Sequence, residues 1–218
     1  MRDEESLEIS EIFYSIQGES SYAGYPCVFV RLAGCNLRCS YCDARYTYEE
    51  NPQSLSFDRI QGRIEEYPVN LVEITGGEPL LQENSIAFMQ RLLDCGITVL
   101  LETNGSLPID AIPPGVIKII DIKCPDSGMC SHTNWRNMHH LQAHDEIKFV
   151  LNSLDDYHWA KEQLNAGRIP GINRILFSPV VNNLHPADLA NRILADGLPV
   201  QLQLQLHTIL WPGQSRGV

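Results

Sequence analysis

The stretch PCVFVRLAGCNLRCSYCD, residues 26–43, decides how the rest of the chain is read. Its first part, Pro26 to Leu32, is a β-rich apolar run. Its second part sets Cys35, Cys39 and Cys42 in a C-x3-C-x2-C loop. Thiolates are soft ligands suited to an iron–sulfur cluster, and a short loop can fold around one. Three cysteines leave one iron of a 4Fe–4S cluster without protein sulfur, open to a small ligand. The other reading of the spacing is zinc, which wants four protein ligands in a structural site. Cys124 and Cys130 are candidates to complete such a site, although no second C-x2-C pair is present.

Outward from this loop, short apolar runs alternate with helical periods. Leu71 to Thr75 reads as a second strand, closed by Gly76-Gly77. Ile86, Met89, Leu92 and Leu93 then recur at helical spacing between Glu83 and Cys95, with Gly96 as a stop. Thr98 to Glu102, Val116 to Ile122, Ile147 to Leu151 and Arg174 to Phe177 read as strands. Helical patterns cover Asp155 to Ala166 and Pro186 to Ala195. This order predicts an α/β fold, with βα units around a mainly parallel sheet or incomplete barrel, in a single domain over residues 1–218.

The segment VQLQLQL, Val200 to Leu206, alternates strictly and predicts a last strand. Val200, Leu202, Leu204 and Leu206 would share one face, and Gln201, Gln203, Gln205 and then His207 the other. The glutamine face is directed to solvent or to a polar cavity.

The 218 residues carry a formal net charge of −11, with 44% hydrophobic and 20% charged residues. That charge disfavours direct nucleic-acid binding, which needs clustered Lys and Arg, and points to a small-molecule substrate. No apolar run approaches the ~20 residues of a membrane-spanning helix. The acidic start MRDEE has no apolar stretch of a secretory signal, so a cytoplasmic protein without a membrane partner is expected. Seven cysteines, an odd number, do not suit a disulfide framework.

At residues 75–79, TGGEP places two glycines and a carboxylate after the second strand. Glycines let the backbone approach a ligand closely, and a carboxylate suits an amine. Alone, this would be an ordinary strand-to-helix turn. With the C-x3-C-x2-C loop, it resembles the radical S-adenosylmethionine (SAM) superfamily. There the open iron binds the amino and carboxylate groups of SAM, and the reduced cluster cleaves the sulfonium to a 5′-deoxyadenosyl radical.

Further segments are EIFYSIQGE (11–19), FVRLAGC (29–35), Cys42-Asp43, ETNG (102–105) and QLH (205–207). In order and spacing they resemble the 7-carboxy-7-deazaguanine synthase family, from about Ile9 to Val218. The resemblance implies a carbon–nitrogen lyase of queuosine or other 7-deazapurine biosynthesis. It rearranges 6-carboxy-5,6,7,8-tetrahydropterin to 7-carboxy-7-deazaguanine, with loss of ammonia and regeneration of SAM. It also implies a modified, incomplete (β/α) barrel and a homodimer. The cofactors implied are a 4Fe–4S cluster, SAM and Mg²⁺, with an electron donor such as flavodoxin or ferredoxin.

The same resemblance implies residue roles. Ile16, Gln17, Gly18, Glu19, Arg31, Thr75, His207 and Val218 stand for substrate binding. Tyr41, Cys42, Asp43, Gly77, Glu78, Glu102, Asn104, Asp121, Lys123 and Ser178 stand for SAM binding. Arg31 also stands out chemically, because it ends an apolar strand beside the cluster loop and its planar fork suits a carboxylate. The alternative is an arginine snorkelling at a strand end. Glu19 equally fits a plain turn carboxylate, and Glu102 and Asn104 fit cap and turn roles.

Some positions depart from the family. Its Ser-Pro-Lys segment reads Asp121-Ile122-Lys123 here. Many members place Thr or Ser after the Cys-Asp pair as a Mg²⁺ ligand, whereas this chain has Ala44. A methyl group cannot coordinate a hard cation, so weaker Mg²⁺ dependence is expected; Thr47 lies nearby. The tail TILWPGQSRGV is apolar enough to fold back over the pocket, bringing the Val218 carboxylate to the substrate. A glycyl-radical activase acting on a partner protein shares the cysteine spacing, but leaves Gln17, Arg31 and the tail without a role. A cluster-carrying electron-transfer protein normally wants four protein ligands.

Overall fold

The computed structural model describes residues 5–169, 171 and 173–218; the acidic Met1 to Glu4 lies outside them. Among the described residues nine strands form one sheet: β1 (Ser6–Ile16), β2 (Pro26–Leu32), β3 (Gln53–Ser56), β4 (Leu71–Gly76), β5 (Thr98–Thr103), β6 (Ile117–Lys123), β7 (Glu146–Leu151), β8 (Arg174–Pro179) and β9 (Gln201–Leu202). Their order is β3-β1-β2-β4-β5-β6-β7-β8-β9. From β2 through β4 to β9 every neighbouring pair is parallel, while β1 runs antiparallel to both β2 and β3. The sheet is open, with β3 and β9 as its edges.

The helices are α1 (Tyr46–Glu49), α2 (Phe57–Ile64), α3 (Asn84–Asp94), α4 (Leu154–Asn165), α5 (Pro186–Asp196) and α6 (Leu206–Leu210). Among the described residues no α-helix joins β5 to β6, and β6 reaches β7 through short 3-10 turns. These two irregular crossovers make the barrel a modified one.

Helix α3 shows the local logic. Ser85, Phe88, Met89 and Leu92 form its buried stripe. It stops where Gly96 takes a positive φ, and the Ile97 N–H returns to the Leu92 carbonyl at 3.1 Å. Val28, Val30, Leu32, Val72, Ile74, Val99 and Leu101 meet this layer from the outer face of the strands. Each such side chain contributes about 1.5–3 kcal/mol on burial.

Strand β1, not marked by the apolar-run reading, carries a register shift between Ile9 and Glu11. Such a bulge swaps the faces. Leu7 and Ile9 join the outer core, whereas Phe13 turns inward and stacks on Phe29 at 4.8 Å. Glu11 thereby comes opposite Arg31.

The predicted strand over Val200 to Leu206 is corrected. Only Gln201–Leu202 pair with β8; after the Gln203 N–H reaches the Phe177 carbonyl at 2.9 Å, the chain leaves the sheet. The Leu206 N–H donates to the Gly18 carbonyl at 3.0 Å, and α6 starts there. This tertiary hydrogen bond overrides the alternation. Gln203 is buried, Leu204 is 36% exposed, and Gln201 faces solvent.

Candidate active site

Side chains on the inner face of the parallel strands form two layers. Cys27, Phe29, Leu71, Leu100 and Ile119, with Phe13, make an apolar plug toward the strands' N-terminal ends. Toward the C-terminal ends the alternation delivers Arg31, Thr75, Glu102, Asp121, Lys123 and Lys148 to a cavity of about 440 Å³. Barrel enzymes place their chemistry at this end.

The loop after β2 supplies Cys35, Cys39 and Cys42 to the cavity wall. The Gly34 N–H donates to the Thr47 carbonyl at 2.7 Å, and Gly77 lies so close that a Cβ there would sit 2.0 Å from the Gly34 oxygen. That close approach explains the second glycine of TGGEP better than flexibility does. The Leu37 N–H points at the Cys35 sulfur, 3.4 Å away. Burial pushes the Cys35 and Cys39 thiols up, with Lys123 pulling the other way.

Among the described residues no three His, Cys, Asp or Glu side chains converge tightly enough to hold one metal ion. Cys124 is buried in the outer core, and neither it nor Cys130 lines the cavity.

Most of the expected site residues meet here. Ile16, Gln17, Gly18 and Glu19 form one wall; Tyr41, Asp43 and Ala44 flank the cysteines; Gly77, Asn104 and Val218 also line it. Two do not reach it. Glu78 is fully buried, and its carboxylate accepts from the Thr103 hydroxyl at 2.8 Å and the N–H groups of Asn104 at 2.8 Å and Leu80 at 3.1 Å. Those contacts tie β4 to β5. Ser178 is buried off the cavity, its hydroxyl without a partner among the described residues. Asn104 bonds Asn36 of the cysteine loop at 3.1 Å, while its Oδ1 closes a turn on the Ser106 N–H at 2.9 Å.

Sequence reading missed Lys148, whose side chain is 3% exposed. Its ammonium pairs with Glu102, with Glu19 at 2.6 Å and with Asp121 at 3.5 Å. Burial opposes the charge, but these three carboxylates outweigh it and keep Lys148 cationic. Burial likewise resists ionisation of Glu19, yet Lys148 wins and holds its carboxyl below the ordinary range. Lys123 bonds Asp121 Oδ2 at 2.9 Å, while buried Asp121 Oδ1 has no partner among the described residues.

Glu73, also missed, accepts a hydrogen bond from Gln17 Nε2. Burial first, then repulsion from Glu102, pushes its carboxyl up to about 8. Glu73 and Lys148 share one detectable signal: each is a charged residue at inward parity inside a largely apolar strand.

Arg31 is held by Glu11, another missed residue, through Nε at 2.8 Å; the Tyr46 hydroxyl donates to the same Glu11 oxygen at 2.8 Å. Burial would lower the Arg31 pKa, but Tyr46 and Glu11 keep the guanidinium raised and charged. Its two terminal nitrogens have no hydrogen-bond partner among the described residues.

The tail closes the mouth. A Cβ on Gly18 would lie 2.6 Å from His207 Nδ1, so α6 seats directly on the Gln17–Gly18 wall. Arg216 pairs with Glu50 and stacks on Tyr46 at 4.1 Å, and Val218 lines the cavity. Gln205 Nε2 bonds Glu19 at 2.9 Å. Of the glutamines on the expected polar face, Gln205 is the one that lines the cavity, followed by His207.

The profile of the Radical SAM superfamily matches residues 30–120. The chain is 47% identical to the 7-carboxy-7-deazaguanine synthase of Chlorobaculum tepidum, covering 100% of both proteins. It is 42% identical to that of Koribacter versatilis, over 97% of this chain and 100% of the relative. The crystal structure of QueE from Escherichia coli superposes with a TM-score of 0.71 at 21% identity, over 92% of this chain and 94% of that one, a likeness of fold. Identity at this level along the whole of both proteins is the decisive finding: the chain belongs to the 7-carboxy-7-deazaguanine synthase family of radical SAM enzymes.

Proposed function

We propose that this chain converts 6-carboxy-5,6,7,8-tetrahydropterin to 7-carboxy-7-deazaguanine, with release of ammonia. The observation that carries the reading is a single cavity lined both by the three loop cysteines and by an Arg31 whose fork is anchored at one end only. Full-length similarity to the synthases favours it over a glycyl-radical activase.

The residues present fit the cluster and SAM. Cys35, Cys39 and Cys42 would hold a 4Fe–4S cluster, and among the described residues no fourth cysteine lines the cavity. Gly77, Asn104, Lys123 and the unpartnered oxygen of Asp121 would hold SAM. When bound, the two supply reductive cleavage of a sulfonium and, through it, abstraction of a substrate hydrogen. Arg31 takes the substrate carboxylate, Lys148 holds Glu19 ionised and Glu102 in place, and the tail excludes water. We assign the assembly as a homodimer reduced by a flavodoxin- or ferredoxin-type donor. No helix among the described residues is long and apolar enough to cross a membrane.

The residues do not fit a side-chain-ligated Mg²⁺ at Ala44. Thr47 lines the same cavity, and its hydroxyl donates to the Ala44 carbonyl at 2.7 Å, which ties its side chain to the loop backbone. Mg²⁺ titration of wild type should produce weaker activation than in Ala44→Thr, where an inner-sphere oxygen is restored. Equal activation would contradict this.

Deleting Gly217 and Val218 should lower kcat/KM about 10- to 100-fold with cluster content unchanged, since a small loss of positioning has effects of that order. Unchanged kinetics would remove the closing role of the tail. The function itself is tested by anaerobic reconstitution with iron and sulfide, then SAM, reductant and the carboxytetrahydropterin. Mass spectrometry should find 7-carboxy-7-deazaguanine; SAM cleavage without that product would contradict the reading.

A further inference from the structure

We propose that Glu73, oriented by Gln17, reads the 2-amino-4-oxopyrimidine edge of the pterin and sets specificity for it. This rests on the pterin reading above and adds a residue role to it.

Glu73 lies on the inner face of β4, in Cα register with Phe29 on one side and Leu100 on the other. Both neighbours belong to the apolar plug, and an aliphatic residue would continue it. A carboxyl 4% exposed in such a layer is costly unless something pairs with it. Yet it also lines the cavity, one step below Thr75 on the same strand face.

The other inner-face carboxylates are already committed to cations. Glu102 holds Lys148, and Asp121 holds Lys123. From the walls, Glu19 holds Lys148 and Glu11 holds Arg31. Glu73 alone in this set has no cation beside it among the described residues; its side-chain partner is the neutral Gln17 amide. Gln17 is itself fixed, because its Oε1 accepts the Glu19 N–H at 3.0 Å. With its carbonyl used and one amide hydrogen given to Glu73, Gln17 acts as a positioning residue for Glu73.

A 2-amino-4-oxopyrimidine presents two adjacent donors, N3–H and the 2-amino group, spaced to meet the two oxygens of a carboxylate. Burial and Glu102 hold back ionisation of Glu73 in the free enzyme, and two ligand N–H donors favour the carboxylate form. The opposite end of the substrate carries a carboxylate and needs a cation. Arg31 and Glu73 stand in diagonal register on adjacent strands, Arg31 opposite Thr75 and Phe29 opposite Glu73. The site thus offers one charge of each sign for the two ends of the ligand.

The test compares wild type, Glu73→Gln and Glu73→Asp on the carboxytetrahydropterin and on its 2-oxo analogue. The analogue replaces the amino donor with a carbonyl that a carboxylate repels. Wild type should prefer the pterin. Glu73→Gln should raise KM for the pterin about 10- to 100-fold and narrow the preference by a similar factor, with cluster absorbance and SAM affinity unchanged. Glu73→Asp, should the glutamine variant fail to fold, should keep the preference while raising KM. A glutamine variant that discriminates as wild type does, or a soluble aspartate variant with no preference, would overturn the proposal. Wild type that yields no product from the pterin would instead overturn the function on which it rests.

Discussion

Cys39→Ala should leave a folded protein with no measurable product formation. The side chain is half-buried in a loop held by backbone contacts to Thr47, Gly77 and Ser127 rather than by the thiol itself. The fold therefore loses little. The cluster that the three cysteines would hold loses one protein ligand, and two thiolates hold a 4Fe–4S cluster poorly. Iron content and the visible absorbance of the reconstituted protein should drop with activity, while circular dichroism stays at the wild-type signal. Retained absorbance and activity would remove Cys39 from the cluster. Cys124→Ala is the matched control, since Cys124 is buried in the outer core and should leave the cluster intact.

Arg31→Ala should cost about 2–5 kcal/mol of substrate binding, roughly 30- to 5,000-fold in kcat/KM. The fork is anchored by Glu11 and backed by Phe13, 5.7 Å from the guanidinium carbon, so its terminal nitrogens are held ready before substrate arrives. Removing it leaves Glu11 facing the substrate carboxylate across the gap, like charge against like. Arg31→Lys keeps a charge but loses the fork, and should recover only part of the deficit. Wild-type KM in both variants would return Arg31 to the plain role of a strand-end arginine.

These residues differ in how readable they were. The cysteine loop was plain because its meaning lies in spacing along the chain, and β2 and β4 were plain because buried parallel strands are continuous apolar runs. Glu73 and Lys148 sit in such runs too, but their role depends on which face of the strand looks inward. That became clear only with the sheet order. Glu11 was hidden behind a bulge that no local pattern announces.

The C-terminal segment was misread for a related reason. Its strict alternation satisfies a strand locally, but the bond from Leu206 to Gly18 and the fit of His207 against Gly18 draw the backbone across the mouth instead. Glu78 shows the converse. Its motif is plain in the sequence, but the bonds of its carboxylate to the Thr103 hydroxyl and the Asn104 N–H are disclosed by no spacing rule.

In the proposed function SAM would be a reusable cofactor, bound beside the cluster that Cys35, Cys39 and Cys42 would hold. Reconstituted enzyme should therefore be given limiting SAM, excess carboxytetrahydropterin and a reductant. The account predicts several equivalents of 7-carboxy-7-deazaguanine per SAM supplied, with most of the SAM recovered intact. Product that never exceeds the SAM added, with 5′-deoxyadenosine accumulating in its place, would contradict it.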